Sequence, residues 1–135
     1  MKTDKLEEEI IKKFVVKNKQ ERILWELKNS KKREQVFWKF AGIDIFKCEC
    51  LNILEYMSME ELELFLSKFT LKETVYYIGG AYIGELNLKE ALKNIYIGDI
   101  GIVYCGNGIG YYQGEEENGH RPRYLLKDVV KKSIH

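Results

Sequence analysis

Four side chains that could bind a metal ion are the first candidates for chemistry. Cys48 and Cys50 are separated by one residue, and Cys105 and His120 follow much later in the chain. Three thiolates and one imidazole can form a zinc site, but the cysteine pairs of structural zinc sites usually come from Cys-x₂₋₄-Cys turns. A Cys-x-Cys pair in a strand points both thiols to one face. We therefore expect three small buried thiols, with no metal and no cofactor.

A glycine-rich segment, residues 106–110, could in principle surround a phosphate group. It lacks the last glycine of a dinucleotide-binding loop, and the residues after it do not form a helix whose N-terminus could bind an anion. Glu115, Glu116 and Glu117 follow shortly afterwards and would repel a phosphate. The sequence therefore argues against nucleotide binding at this segment.

A cluster of basic and aromatic residues in the N-terminal part is a third candidate. Its members are Lys31, Lys32, Arg33, Phe37, Trp38 and Lys39. Such a mixture is typical of proteins that bind single-stranded nucleic acid. On a helix, however, Phe37 and Phe40 would face the core while the lysines face solvent. Because the net charge of the whole chain is only +1, we expect no direct binding of nucleic acid.

Residues 76–114 contain most of the nine tyrosines and nine of the eleven glycines of the chain. Tyr111 and Tyr112 are adjacent on a predicted strand, so they point to opposite faces and at least one of them should be exposed. Exposed tyrosines can anchor a protein interface, and acidic residues accelerate association with a basic partner. We therefore predict that Tyr111, Tyr112 and the glutamates at 115–117 bind a partner protein. Alternatively, the tyrosines form cross-strand pairs within the sheet.

Charge is distributed unevenly along the chain. Residues 51–118 carry 4 Lys/Arg against 11 Asp/Glu, whereas residues 1–50 carry 13 against 9 and residues 119–135 carry 5 against 1. An acidic middle between basic ends becomes an electrostatic dipole if the fold keeps these segments apart. The acidic part would then suit a basic partner, although incidental clustering on a solvated surface gives the same counts.

Composition and length indicate a globular protein of one domain, residues 1–135. Hydrophobic residues make up 45% and charged residues 32% of the chain, which is an ordinary balance for a globular domain. No apolar run approaches the roughly 18 residues of a membrane span, and three glutamates interrupt the N-terminal segment where a secretory signal needs an apolar core. An odd number of cysteines without framework spacing favours reduced thiols. We therefore expect a cytoplasmic protein with no membrane partner.

The hydrophobic periodicity changes along the chain from that of helices to that of strands. Residues 1–41 form a helical front that is broken near Asn18 and resumes over 31–41, and residues 43–51 are predicted as a strand. Ser58 and Glu61 form a capping box, and Asn87 caps a second short helix. Further strands are predicted at 74–78, 81–86, 100–105, 109–113 and 121–127. This is an α+β fold in which N-terminal helices precede a mainly antiparallel sheet of glycine-turned hairpins with short capping helices. Residues 43–127 are thus predicted to combine strands with short helices, and residues 128–135 to form a basic tail.

Two short motifs resemble the MazF/PemK-type endoribonuclease toxins. Gly98-Asp99 and Gly119-His-Arg-Pro122 match a GD…GHRP pattern of the first two strands in that family, over residues 98–126. The resemblance implies a ribonuclease that uses His120 and Arg121 with the glutamates at 115–117. The spacing between the two motifs is a few residues longer than in the family, and the chain ends 13 residues after Pro122.

Two longer blocks resemble a different group of proteins. Residues 21–40, together with YYIGGAYIGELNLKEAL at 76–92 and GDIGIVYCGNGIGYYQGE at 98–115, are similar to small proteins of Bacillus- and Clostridium-like bacteria. These are associated with the immunity proteins of polymorphic secreted toxins, including contact-dependent inhibition systems. The resemblance implies a cytoplasmic antitoxin that binds a cognate toxin domain, often a nuclease, and inhibits it without catalysis of its own. A small ribonuclease and a generic interaction or regulatory domain are the alternatives.

Overall fold

A computed structural model describes residues 2–70 and 72–129. The described residues form four α-helices, six strands and three 3₁₀ helices. The α-helices are α1 (Lys2–Phe14), α2 (Lys17–Lys28), α3 (Met59–Ser67) and α4 (Leu88–Tyr96). The strands are β1 (Leu51–Ile53), β2 (Thr74–Gly79), β3 (Ile83–Asn87), β4 (Gly101–Gly106), β5 (Ile109–Gln113) and β6 (Arg123–Lys127). The 3₁₀ helices are Arg33–Phe40, Ile43–Ile45 and Cys48–Cys50.

The six strands form one antiparallel sheet in the order β1-β6-β5-β4-β2-β3. Two of its connections are tight hairpins, β2–β3 and β4–β5. The second hairpin turns at Asn107 and Gly108, which adopt φ angles of 53° and 76°, a conformation that asparagine and glycine tolerate best. The predicted α+β class, with helices first and glycine-turned hairpins after them, is therefore confirmed.

Both faces of the sheet are covered by helices. One face packs against α1, α2 and the 3₁₀ helix Arg33–Phe40, and it contributes Tyr76, Ile102, Tyr104 and Tyr112 to that core. The other face packs against α3 and α4 and contributes residues of the opposite parity, including Tyr77, Val103 and Tyr111. Because successive residues of a strand point to opposite faces, β2, β4 and β5 are apolar at nearly every position.

The helical front is broken close to the predicted position, but the segment after it differs from the prediction. The break between α1 and α2 falls at Val15 and Val16, shortly before Asn18, and Val15 forms an isolated bridge with Phe46 there. Of residues 43–51, predicted as a strand, only Leu51 belongs to β1, and the others form two 3₁₀ turns before it. The reason is that their backbone bonds to the end of α1 and not to the sheet: the Val16 amide donates to Ile45 at 2.9 Å, and the Lys47 amide donates to Phe14 at 2.8 Å.

A buried ionic network fixes this helical layer to the sheet. The Arg33 guanidinium donates to the Glu7 carboxylate, with one bond of 2.8 Å, and also to the Leu27 carbonyl at 2.8 Å. The Tyr76 hydroxyl donates to the same carboxylate. The hydrogen bond to Glu7 raises the pKa of Arg33, while burial and then Glu7 raise the pKa of Tyr76. Removing one partner would leave a buried charge uncompensated, at a cost of about 3–5 kcal/mol.

The two capping predictions are confirmed. The Ser58 hydroxyl accepts a bond from the Glu61 amide, and the Glu61 carboxylate accepts one from the Ser58 amide. The Asn87 side chain accepts a bond of 2.8 Å from the Lys89 amide at the start of α4. Within residues 2–70 and 72–129, no helix has the length and apolar character that crossing a membrane requires. Most of the predicted basic tail, residues 130–135, lies outside the described residues.

Candidate partner-binding surface

One end of the sheet brings together most of the long connections between elements. Gly79, Gly101, Gln113 and Arg123 are aligned in one row across β2, β4, β5 and β6. The segment after β1 joins this row, because the Leu54 amide donates to the Arg123 carbonyl at 3.1 Å. The chain leaves or enters the sheet at each of these points. We call the resulting surface the loop end, formed by residues 37–42, 53–57, 80–82, 97–99 and 114–122.

Asp99 fixes the turn between β2 and β3 at the loop end. Its carboxylate accepts hydrogen bonds from the Gly80 amide at 3.0 Å, the Ala81 amide at 2.9 Å and the Tyr77 hydroxyl at 2.5 Å. Burial, and then the bond to Asp99, raises the pKa of Tyr77. A carboxylate that accepts three such bonds is committed to fixing the turn between β2 and β3. The Gly98-Asp99 motif therefore has a structural role in this fold.

The loop between β5 and β6 is also anchored by specific bonds. The buried Gln113 amide donates to the Ile95 carbonyl at 2.8 Å and to the Asp99 carbonyl at 2.9 Å, which ties the end of α4 to β5. Arg121 Nη1 donates to the Gly114 carbonyl at 2.8 Å. Glu117 and His120 exchange backbone hydrogen bonds across a short turn. The loop is therefore a defined hairpin with the three glutamates on its first arm.

Large apolar side chains are exposed at the loop end. They are Trp38 (57% exposed), Ile53 (81%), Tyr56 (66%), Tyr82 (46%) and Ile97 (81%). Exposed apolar residues scattered singly need no explanation, whereas a group of them on one surface marks an interaction site. The loop end is accordingly the candidate surface for binding a partner.

Two open clefts lie between these side chains. The first, of about 350 Å³, lies between the segment after β1, the end of α4 and the hairpin loop, and its lining includes Tyr56, Ile97, Glu116, Arg121 and Arg123. We call it the arginine cleft. The second, of about 480 Å³, lies beside the turn between β2 and β3. Together the two clefts make the loop end concave, so that side chains of a partner could insert into it.

Acidic residues surround the outer side of the arginine cleft. Glu115, Glu116 and Glu117 are exposed, as predicted, and so are Glu60 and Glu61 at the start of α3. The Tyr96 hydroxyl at the cleft wall donates to the Met57 carbonyl, two residues before the start of α3. Burial, then Tyr56, then the charges of Glu61 and Glu60 raise the pKa of Tyr96 to about 12, against an opposing effect of Arg123. A basic partner would therefore meet acidic residues on two sides of the cleft.

The prediction that at least one of Tyr111 and Tyr112 is exposed is wrong. Tyr111 is 2% and Tyr112 0% exposed, because helices cover both faces of the strand on which they lie. The Tyr112 hydroxyl donates to the Phe40 carbonyl at 2.5 Å, and that of Tyr111 is 3.5 Å from Gln113 Oε1. Neither side chain is available to a partner in this structure.

Ile53, Tyr56 and Ile97 are the surface residues that the sequence reasoning missed. A signal for Ile97 existed, since Leu88, Leu92 and Ile95 already occupy the apolar face of α4 and Ile97 falls after its end. Tyr56 could have been noticed because it lies just before the capping box, outside any strand. Both residues are in connections, where an apolar side chain has no sheet or helix face to cover.

The four candidate metal ligands do not come together in the fold. Cys50 belongs to the core on one face of the sheet and Cys105 to the core on the other, while His120 is exposed at the loop end. Cys48, expected to be buried, is exposed, because residues 48–50 form a 3₁₀ turn and not a strand. Among residues 2–70 and 72–129, no group of three or more His, Cys, Asp or Glu side chains converges on a possible metal position.

The basic and aromatic cluster is divided between core and solvent. Lys31, Lys32 and Lys39 are exposed, and Phe40 is buried, as predicted. Phe37 is half-buried and packs beside Gly80, whereas its neighbour Trp38 is exposed. Trp38 thus belongs to the loop end, together with the acidic hairpin.

No family model matches the chain, and neither the curated proteins nor the solved structures contain a significant match.

Proposed function

We propose that this protein is a cytoplasmic immunity protein that binds a cognate toxin domain, a basic nuclease, and inhibits it stoichiometrically. The observation that supports this proposal is the composition of the loop end, where exposed Tyr56 and Ile97 border a cleft that Glu116 also lines, within the exposed acidic run at 115–117. Aromatic and aliphatic anchors inside a polar rim are the usual anatomy of a protein interface. The loop end replaces Tyr111 and Tyr112 as the source of aromatic contacts.

The chemistry of the partner follows from the charge of this surface. A nuclease must hold a polyanionic substrate and therefore presents basic residues around its active site. Acidic residues opposite them accelerate association by electrostatic steering. An inhibitor that covers this basic surface excludes the substrate without any catalytic group of its own.

Three residues of the ribonuclease alternative help to form the hairpin loop between β5 and β6. Arg121 bonds to the Gly114 carbonyl, and Glu117 and His120 define the hairpin through their backbones. An acid–base pair needs side chains that reach a common reacting atom. In the described structure, the loop-end arrangement favours a binding surface over this alternative.

The test measures binding to the toxin domain encoded beside this gene. We expect a 1:1 complex in which nuclease activity falls linearly to zero as the molar ratio approaches one. Tyr56→Ala and Ile97→Ala should each weaken binding by about 2 kcal/mol, mainly through faster dissociation. Reversing Glu115, Glu116 and Glu117 to lysine should instead slow association, most strongly at low salt.

Two sets of control variants make this test specific. Leu64→Ala removes an equally exposed apolar side chain from α3 and should leave both rate constants unchanged. Lys31 and Lys32 to glutamine changes charge on the helical front and should have little effect. If those lysine changes disrupt the complex while the loop-end variants bind normally, the interface is elsewhere and the proposal is wrong.

A further inference from the structure

The arginine cleft contains two cationic side chains, Arg121 and Arg123. Among the residues that the structure describes, neither Arg121 nor Arg123 forms an ion pair with a carboxylate. Each donates one hydrogen bond to a carbonyl, Arg121 to Gly114 at 2.8 Å and Arg123 to Arg121 at 3.3 Å. A guanidinium has five N–H donors, so most donors of both groups remain available.

Both guanidinium groups are held in position before any ligand arrives. Arg123 lies over the Tyr56 ring, with its Cζ atom 5.1 Å from the ring centroid. Arg121 is tied to the hairpin loop and passes close to Gly98, where a Cβ atom would lie 3.5 Å from its Nη2 atom. Both side chains are half-buried. Fixed donors cost less entropy on binding than mobile ones, so this pair is preorganised for an anion.

The balance of charge limits the anion to a single negative charge. The cleft is lined by two arginines and one glutamate, Glu116, so one positive charge of its lining is left without a counter-charge. A carboxylate supplies one negative charge and matches the planar fork of arginine, whereas a dianionic phosphate would place a second negative charge beside Glu116.

We propose that the arginine cleft binds a carboxylate group of the partner protein, from an aspartate or glutamate side chain or a chain terminus. The identification of a partner protein as the source of this carboxylate rests on the proposed function. The outer glutamates steer a basic partner, and the cleft then accepts one acidic group that Arg121 and Arg123 hold between them. A complementary acidic contact inside an otherwise basic surface adds specificity, because a partner without that group leaves two arginines partly desolvated and unpaired.

The first experiment tests the cleft in the free protein with small probes. N-acetyl-aspartate N-methylamide is titrated while NMR follows the Nε–H signals of Arg121 and Arg123. We expect saturable shifts of both signals, no such shifts with the asparagine counterpart, and weaker effects of inorganic phosphate. The absence of saturable shifts, or equal shifts with the neutral counterpart, overturns the inference. Tighter binding of phosphate overturns the assignment of the ligand as a carboxylate.

Variants that remove a positive charge, and one that removes a negative charge, distinguish ligand binding from structural support of the fold. Arg121→Gln and Arg123→Gln should abolish the response to the aspartate probe, whereas Lys127→Gln, the same charge change on an exposed position of β6, should retain it. Glu116→Gln removes a competing carboxylate from an exposed position and should tighten probe binding roughly two- to five-fold. A purely structural role of the arginines predicts no such gain, so the inference is testable even if the arginine variants fail to fold.

The same variants distinguish failure of this inference from failure of the proposed function. If the toxin domain binds Arg121→Gln, Arg123→Gln and Lys127→Gln equally well, the cleft is not a carboxylate site in the complex and the inhibitor function stands. If the toxin domain does not bind the wild-type protein at all but the aspartate probe does, the cleft stands and the proposed function fails.

Discussion

The centre of the sheet and its loop end use the same kinds of side chain for opposite purposes. At the centre, five tyrosines are at most 3% exposed. They are Tyr76, Tyr77, Tyr104, Tyr111 and Tyr112. At the loop end, Tyr56 and Tyr82 are 66% and 46% exposed, beside an exposed tryptophan and two isoleucines. The central tyrosines come from strands, whereas the exposed aromatic residues come from the connections and the 3₁₀ helix.

This difference shows why the number of tyrosines in a segment does not identify a recognition surface. A tyrosine on a strand that helices cover on both sides is a core residue whose hydroxyl must find a partner. Tyr104 and Tyr76 bond to the glutamates Glu9 and Glu7 of α1 in this way. The position of a tyrosine relative to the sheet therefore decides its role.

The largest effect that would test this comparison is expected at alkaline pH. Burial raises the pKa of Tyr77, Tyr111 and Tyr112, so these groups stay neutral in the folded protein while they ionise in the unfolded chain above about pH 10. Since the folded state then holds more protons, the free energy of unfolding should fall by about 1.4 kcal/mol per tyrosine and pH unit. Denaturant unfolding followed from about pH 8 to pH 11 measures this loss. A free energy that stays constant over this range would show that the central tyrosines are accessible.

The next largest effect compares one tyrosine from each region. Tyr112→Ala empties a site in the core beside Phe46 and should cost about 3–5 kcal/mol of unfolding free energy. Tyr56→Ala removes an exposed ring and its contact with Arg123, and should cost less than about 1 kcal/mol. Chemical denaturation of both variants gives the two values. Equal losses would mean that Tyr56 supports the fold and would weaken its assignment to an interface.

The smallest effect compares two glycines with nearly the same backbone conformation. Gly108, in the turn between β4 and β5, has φ +76°, and a Cβ atom there would lie 2.9 Å from the Cβ of Asp128. Gly119, at the loop end, has φ +77° and no atom within 4 Å of such a Cβ. Gly119→Ala should therefore cost about 1 kcal/mol from backbone strain alone, and Gly108→Ala about 2 kcal/mol or more. Thermal unfolding in parallel measures the difference, and a reversed order would contradict the open geometry of the loop end.

Local chemistry explains which parts of the fold were predictable from the sequence. The caps at Ser58 and Asn87 and the glycine turns depend on a few neighbouring residues, so their patterns identified them correctly. Apolar residues alternate over residues 43–51 as in a strand, but the backbone of this segment bonds to the end of α1. No local sequence pattern indicates that hydrogen-bond partner. The full burial of Tyr111 and Tyr112 likewise depends on helices from distant parts of the chain.

The candidate surface was predicted only in its charged part. The glutamates at 115–117 are exposed because they follow a strand in a glycine-flanked loop, which the sequence shows directly. In its apolar part, Tyr56 and Ile97 come from two separate connections and line the same cleft. Their proximity follows from the strand order, which no local pattern of the sequence determines.

The pairing of β1 with β6 determines when the sheet can be completed during synthesis. Leu51 is aligned with Leu126, so β1 has no partner until the last strand has left the ribosome. At the usual rate of translation the roughly 75 intervening residues take about 4–15 s. The Glu7 carboxylate likewise cannot accept its hydrogen bond from Tyr76 until that residue has been synthesised. The emerging chain must therefore carry an unpaired β1 through most of its synthesis, and the sheet edge formed by this strand is completed last.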